Sequence, residues 1–216
     1  MYNIREVLPE KTESYDKGRE KSSIRATEFR GHTGCVNALS FNQLNDSIFV
    51  SASNDRSFRI WDIRKPKPMV HTERSKEEIF EAAFSPFGTS EPDVGQSSTY
   101  LATCNYSEEI NFYETRMWKT VKQIKYKTEV SCFAWDKSGD GFFVGDSTGS
   151  VSVFQGQTLK QPPITVLSGV HNNNRCDSIA FHPSNDFFVT GAQDSLVAFW
   201  DMEELICSGT TSANHF

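Results

Sequence analysis

His32, Ser51 and Asp55 supply a base, a nucleophile and an orienting carboxylate, the residue types of an acyl-transfer triad. Ser51 would attack a carbonyl, His32 would take its proton and Asp55 would hold the imidazole in the right tautomer. The same types recur as His171, Thr190 and Asp194, and a tryptophan follows each set, Trp61 and Trp200, at identical spacing, H-x18-[ST]-x3-D-x5-W. The recurrence argues against catalysis. An enzyme has no use for two copies of one triad 139 residues apart, and neither copy has a glycine-framed nucleophile elbow. A structural role accounts for all four types. A histidine that links a turn carboxylate to a strand hydroxyl, with an indole N–H closing the network, lets polar groups be buried with partners. No catalytic residue and no cofactor is therefore expected.

The elements that position these tetrads are short strands. Four segments end alike, FRIWDIR (58–64), INFYETR (110–116), VSVFQGQ (151–157) and VAFWDME (197–203), with anchors Trp61, Tyr113, Phe154 and Trp200 at intervals of 52, 41 and 46 residues. Those intervals approach the period of a four-stranded propeller blade. Within each unit apolar residues alternate with period two between turn residues. The first unit predicts strands over 36–41, 48–53 and 57–62, and the first strands of the others fall at 79–84, 130–135 and 176–181. Residues 87–99 read as an exposed polar loop. Residues 1–23 read as a charged tail, and the repeats occupy 24–216 in units of about 24–65, 66–116, 117–157 and 158–210. The tetrad is incomplete in the middle units. Thr103 is kept, but Ser107 and Thr148 stand in place of aspartate, and Tyr113 and Phe154 in place of tryptophan, so those units are expected to lean on apolar packing.

Composition narrows the function classes. The net charge is −6, which disfavours a dedicated nucleic-acid binder, and 17 Phe, 6 Tyr and 4 Trp provide core material despite a hydrophobic share of 37%. No apolar run is long enough for a bilayer span, and the N-terminus is too charged for a signal peptide, so no membrane role is expected. Cys35, Cys104, Cys132, Cys176 and Cys207 form no C-x-x-C pair. They read as reduced core thiols, and no metal site is expected.

Gly31-His32, the stretch SASND (51–55) and Trp61-Asp62 resemble the WD40 repeat, as do Val170-His171 and Trp200-Asp201. The resemblance spans about 24–210 and implies an all-β propeller. Seven blades of about 43 residues need more chain than 216 residues supply. The four units are thus expected to be part of a larger ring, with Ile24–Phe29 serving as the outer strand of its last blade and apolar blade faces open at both ends. Within the family, FRGHTGCV (29–36), IFVSASNDRSFRIWDIR (48–64) and FFVTGAQDSLVAFWDMEELIC (187–207) look like WD40 subunits of THO/TREX messenger RNA export complexes. That implies a nuclear scaffold bound to other protein subunits, in mRNA processing and export, with no small-molecule substrate. Without it the expected compartment is the cytosol. The alternative is another WD40 adaptor, such as a ubiquitin-ligase substrate receptor or a signalling scaffold.

By the family's pattern, protein contacts fall beside the start of the first strand and before the turn aspartate. Those positions are Cys35, Asn37 and Asn54; Glu78, Phe80 and Tyr106; Glu129, Ser131 and Ser147; and Arg175, Asp177 and Gln193. Arg116, Lys119, Lys122, Lys125 and Lys127 form a basic stretch placed on the outer strand of the second blade. RNA contact there is the competing reading to an edge strand guarded by lysines, and the acidic whole favours the guard.

Overall fold

Period-two apolar segments cut short by Asn, Asp, Gly and Ser turns are too brief for helices, and they pair into antiparallel sheets. A computed structural model describes residues 27–71, 75–86, 100–106, 108–155 and 162–205. The first sheet runs β1 (Val36–Phe41), β2 (Ile48–Ser53), β3 (Phe58–Asp62), β4 (Lys65–His71). The second runs β5 (Ile79–Phe84), β6 (Tyr100–Asn105), β7 (Glu109–Glu114), β8 (Lys119–Lys125). The third runs β9 (Val130–Trp135), β10 (Gly141–Asp146), β11 (Val151–Gln155), β12 (Thr165–Leu167), and the fourth β13 (Cys176–Phe181), β14 (Phe187–Ala192), β15 (Val197–Asp201). Every sheet is a meander in sequence order. They are four blades in a β-propeller arrangement. Only one helical turn, at 202–205, occurs among the described residues, and no helix there is long and apolar enough to cross a membrane.

Each blade stacks on the next through its own apolar cluster. Val50, Ala52, Phe58 and Ile60 of the first blade meet Ile79, Ala82 and Leu101 of the second. Ile110 and Phe112 meet Phe133, Trp135 and Phe142, and Cys132 and Phe143 meet Cys176 and Phe188. A blade covered on both faces needs apolar residues on both, and β10 accordingly buries Phe142, Phe143 and Val144 in succession. Burying one such side chain contributes about 1.5 to 3 kcal/mol. The outward faces differ. Leu39 and Phe41 on β1 are 69% and 63% exposed, and Val197 and Phe199 on β15 are 75% and 66% exposed.

The same irregularity recurs at the start of every first strand. Register jumps from Val36 to Ala38, from Ile79 to Glu81, from Val130 to Cys132 and from Cys176 to Ser178. Each jump leaves one residue, Asn37, Phe80, Ser131 or Asp177, as a β-bulge, a device that re-aims a side chain.

Three expectations change or fall outside the described residues. Residues 27–29 of the expected outer strand take no strand; Phe29 packs edge-on against Phe49 and Trp61, at 5.2 and 5.7 Å between ring centres. Cys104, Cys132 and Cys176 are buried, but Cys35 is exposed because it sits in the turn ahead of β1. The tail 1–23, the loop 87–99, Ser107 and Cys207 lie outside the described residues.

Candidate functional site

The first tetrad is a chain of hydrogen bonds. The Trp61 indole N–H donates to Ser51 Oγ at 2.7 Å, Ser51 Oγ lies 2.6 Å from His32 Nε2, and His32 Nδ1 lies 2.8 Å from Asp55 Oδ2. Nδ1 thus faces the carboxylate and Nε2 the Ser51 hydroxyl, the two ring nitrogens joining turn and strand. Ser51 comes from β2, Trp61 from β3 and Asp55 from the turn between them, while His32 precedes β1. Asp55 also accepts from the amides of Thr33 and Ser57, and from Ser57 Oγ at 2.6 Å. Burial raises its pKa, but the hydrogen bonds from Ser57, His32 and Thr33 and the attraction of His32 outweigh that. The carboxyl is held well below the usual carboxylate range.

The second tetrad repeats the wiring. Trp200 Nε1–H donates to Thr190 Oγ1 at 3.0 Å, Thr190 Oγ1 lies 2.7 Å from His171 Nε2, and His171 Nδ1 lies 3.2 Å from Asp194 Oδ2. His171 and Thr190 are 1% and 0% exposed. Gly149, in the turn of the third blade, adopts a φ of +76° against this loop. A Cβ there would overlap the Asn174 carbonyl oxygen and stand 2.8 Å from His171 Cβ.

The connectivity is that of a catalytic triad, but the hydroxyls are closed. Ser51 is 3% exposed, and its oxygen already donates to one ring and accepts from another. A nucleophile needs an approach for substrate, and these hydroxyls, buried and held between an imidazole and an indole, have none.

The middle blades replace the missing members with other polar residues. The Tyr113 hydroxyl hydrogen-bonds Thr103 and Thr120, so a phenol does for Thr103 what an indole does for Ser51. In the third blade Asp146, two residues before Thr148, accepts from Thr128 Oγ1 and from the amide and hydroxyl of Thr148. The Tyr126 hydroxyl bonds Ser152, and burial pushes its pKa up to about 12. The sequence reading missed these networks. Tyr113 stood in the tryptophan frame, whereas Asp146 lies off it.

The rim candidates gather in small sets. The amides of Asn54, Ser147 and Gln193 donate to the carbonyls of Cys35, Glu129 and Arg175, tying each turn to the entry of its first strand. Asn37 hydrogen-bonds Asn54 and also donates to the Ile79 carbonyl of the next blade at 3.1 Å. Ser131 donates to the Cys176 carbonyl of the next blade. Ile79 and Cys176 both open a first strand, so two bulge residues latch neighbouring blades at the same place. Phe80 cannot; its ring packs 5.0 Å from that of Tyr106, which is 47% exposed. Arg175 ties Glu129 of the third blade at 2.8 Å and Asp177 at 2.9 Å. Burial works against its charged form, but those two carboxylates raise its pKa. Among the described residues no cluster of His, Cys, Asp and Glu could hold a metal ion.

Known proteins resemble this chain in sequence. The family model described as WD domain, G-beta repeat matches residues 23–62 and 162–201, the two units that carry complete tetrads. The chain is 31% identical to THO complex subunit 3 of Arabidopsis thaliana over 88% of its length, covering 55% of that protein. It is 24% identical over 85% to WD repeat-containing protein AAC3 of Dictyostelium discoideum, covering 36% of it. It is 28% identical over 84% to a guanine nucleotide-binding protein subunit beta of Oryza sativa subsp. japonica, covering 48%. The chain thus spans between about a third and just over half of these relatives. Four meandering blades, two full tetrads and the family match at the same two units make this a WD40 repeat protein.

Proposed function

We propose that this chain is a non-enzymatic protein-interaction scaffold acting as a subunit of a nuclear THO/TREX-type assembly in transcription-coupled mRNA processing and export. The observation that carries the reading is the 31% identity to THO complex subunit 3 across 88% of the chain. The closed hydroxyls of both tetrads support a structural use of residues that elsewhere catalyse. The rim of Asn37, Asn54, Phe80, Tyr106, Glu129, Arg175, Asp177 and Gln193 is the proposed protein-contact surface, with Phe80, Tyr106 and Arg175 of the types that dominate binding energy. The identity to a guanine nucleotide-binding protein beta subunit favours a signalling scaffold as the second reading. Affinity purification of the tagged chain from nuclear extract, followed by mass spectrometry, separates them. Recovery of THO subunits and export factors is expected. Recovery of heterotrimer partners or cullin adaptors in their place overturns the THO reading, and a hydrolytic activity lost on Ser51→Ala in a folded protein overturns the scaffold.

A further inference from the structure

Between the end of β8 and the outer strands of the third blade lies an open cleft of about 810 Å³. Its walls are mostly apolar, with Tyr126, Phe154, Pro163 and Ile164 among them. The Tyr126 and Phe154 rings meet edge to face at 6.4 Å, and the Tyr126 hydroxyl is tied to Ser152, so this wall is fixed before anything binds. Ile164 and Val166 hold 58% and 50% of their surface in water. Lys125 and Lys127 stand at the mouth, continuing the basic run of Lys119 and Lys122 along β8. Lys125 approaches one carboxylate, Glu109, at 3.8 Å and remains 78% exposed.

We infer that this cleft receives a short acidic peptide segment of a partner protein, one aliphatic or aromatic side chain entering the cleft and flanking carboxylates meeting Lys125 and Lys127. The occupant follows from complementarity. A mostly apolar recess flanked by Lys125 and Lys127 matches an apolar anchor between acidic residues, and the carboxylate in its lining, Asp146, is already engaged by Thr128, Thr148 and Ser150. The lysines could meet RNA phosphates as well, but the mostly apolar walls have a use only for an apolar side chain. The local basic charge also contrasts with a chain of net charge −6, so an acidic partner is steered to this edge. The inference rests on the scaffold reading only in taking protein as the ligand. A scaffold that used its rim alone would leave this cleft empty without harm to that reading.

The test uses the full chain and a fluorescein-labelled eight-residue peptide pool of pattern Glu-Asp-X-Φ-X-Asp-Glu-X, with Φ fixed as Leu, Phe or Tyr, read by fluorescence anisotropy. Binding is expected for at least one Φ, lost when Φ is Ala, and about tenfold or more weaker for Lys125→Glu/Lys127→Glu. Ile164→Asp should weaken it as well. All three positions are exposed, so melting temperatures should be unchanged, which separates lost binding from lost fold. No binding by any pool, or binding that these variants leave unaltered, overturns the inference. So does preferential binding of a labelled U12 oligonucleotide, or a Lys127-dependent dimer in sedimentation.

Discussion

Asp55→Ala removes the acceptor at the centre of the first tetrad, and its cost follows from which donors are stranded. Four donors point at the carboxylate: His32 Nδ1–H, the Thr33 amide, the Ser57 amide and the Ser57 hydroxyl. Thr33 is exposed and finds water, and the Ser57 hydroxyl can rotate. The His32 ring, 6% exposed in its side chain, and the Ser57 amide, in a residue 1% exposed, cannot escape. A stranded buried donor costs roughly 1 to 3 kcal/mol, and part of the total returns because a buried charge is also removed, leaving about 2 to 4 kcal/mol. For a chain of this size that lowers the melting temperature by about 5 to 15 °C. Urea unfolding of wild type, Asp55→Ala, His32→Ala and the double variant measures the loss and the coupling, expected at about 1 to 3 kcal/mol. The folded-state pKa of Asp55 is depressed below its ordinary 3.8, so its contribution is complete above that pH and is lost as pH falls through the folded value. The difference between wild type and Asp55→Ala should therefore shrink below about pH 4. An Asp55→Ala protein within 0.5 kcal/mol (approximately the error of such a measurement) of wild type at pH 7 would refute the reasoning.

Asp194→Ala should cost less than Asp55→Ala by the same urea assay, because Asp194 accepts from His171 at 3.2 Å and from the Leu196 amide, a smaller set. Ser131→Ala should cost about 1 kcal/mol by removing the stronger of two side-chain donors to the Cys176 carbonyl at the blade junction, the Cys132 thiol at 3.3 Å being the other, and equal stability would show that the latch is idle. Gly149→Ala should lower stability by about 2 kcal/mol or more, since a positive φ and an overlap with Asn174 act together; an unchanged melt would contradict it. Burial raises the Glu81 pKa to about 7, so its neutral form carries no penalty below pH 4.5 and the penalty grows as pH rises toward 7. Glu81→Gln should thus match wild type near pH 4.5 and exceed it by about 1 to 3 kcal/mol at pH 8, and identical pH profiles would refute the shift.

The first strand of every blade, and the inner three of the first blade, are legible because period-two alternation and turn chemistry act locally. The segments 36–41, 48–53, 79–84, 130–135 and 176–181 coincide with β1, β2, β5, β9 and β13. The tetrad residues are legible through spacing, since a repeated fold places equal intervals at equal points in space. The outer strands are harder. Proline-bearing KPKPMVH in β4 and three-residue β12 carry little pattern of their own and form by pairing with β3 and β11. The bulges at Asn37, Phe80, Ser131 and Asp177 have no signature in a single strand, because a bulge is a mismatch between two. Asp146 escaped for a related reason: it reaches Thr148 and Thr128 from a position two residues off the frame of Asp55.

What separates these tetrads from a working triad is the tryptophan, not the histidine or the aspartate. A serine in a triad keeps its oxygen open to substrate; here the Trp61 N–H takes one of its two lone pairs, and β2 is buried between neighbours. The indole supplies a donor where the oxygen would otherwise be under-satisfied, so the hydroxyl can sit in a dry sheet without loss. Where the indole is absent, the second blade restores a partner with the Tyr113 hydroxyl, and the third dispenses with the strand hydroxyl, setting Val144 where Ser51 stands and moving the polar load to Asp146. The outer pair of blades thus share one polar network, and each middle blade builds its own from other residues. Trp61→Phe should accordingly remove one donor to Ser51 Oγ without opening it to substrate, because Ser51 is 3% exposed within buried β2, so the folded variant should show a loss of stability by urea unfolding and no hydrolytic activity.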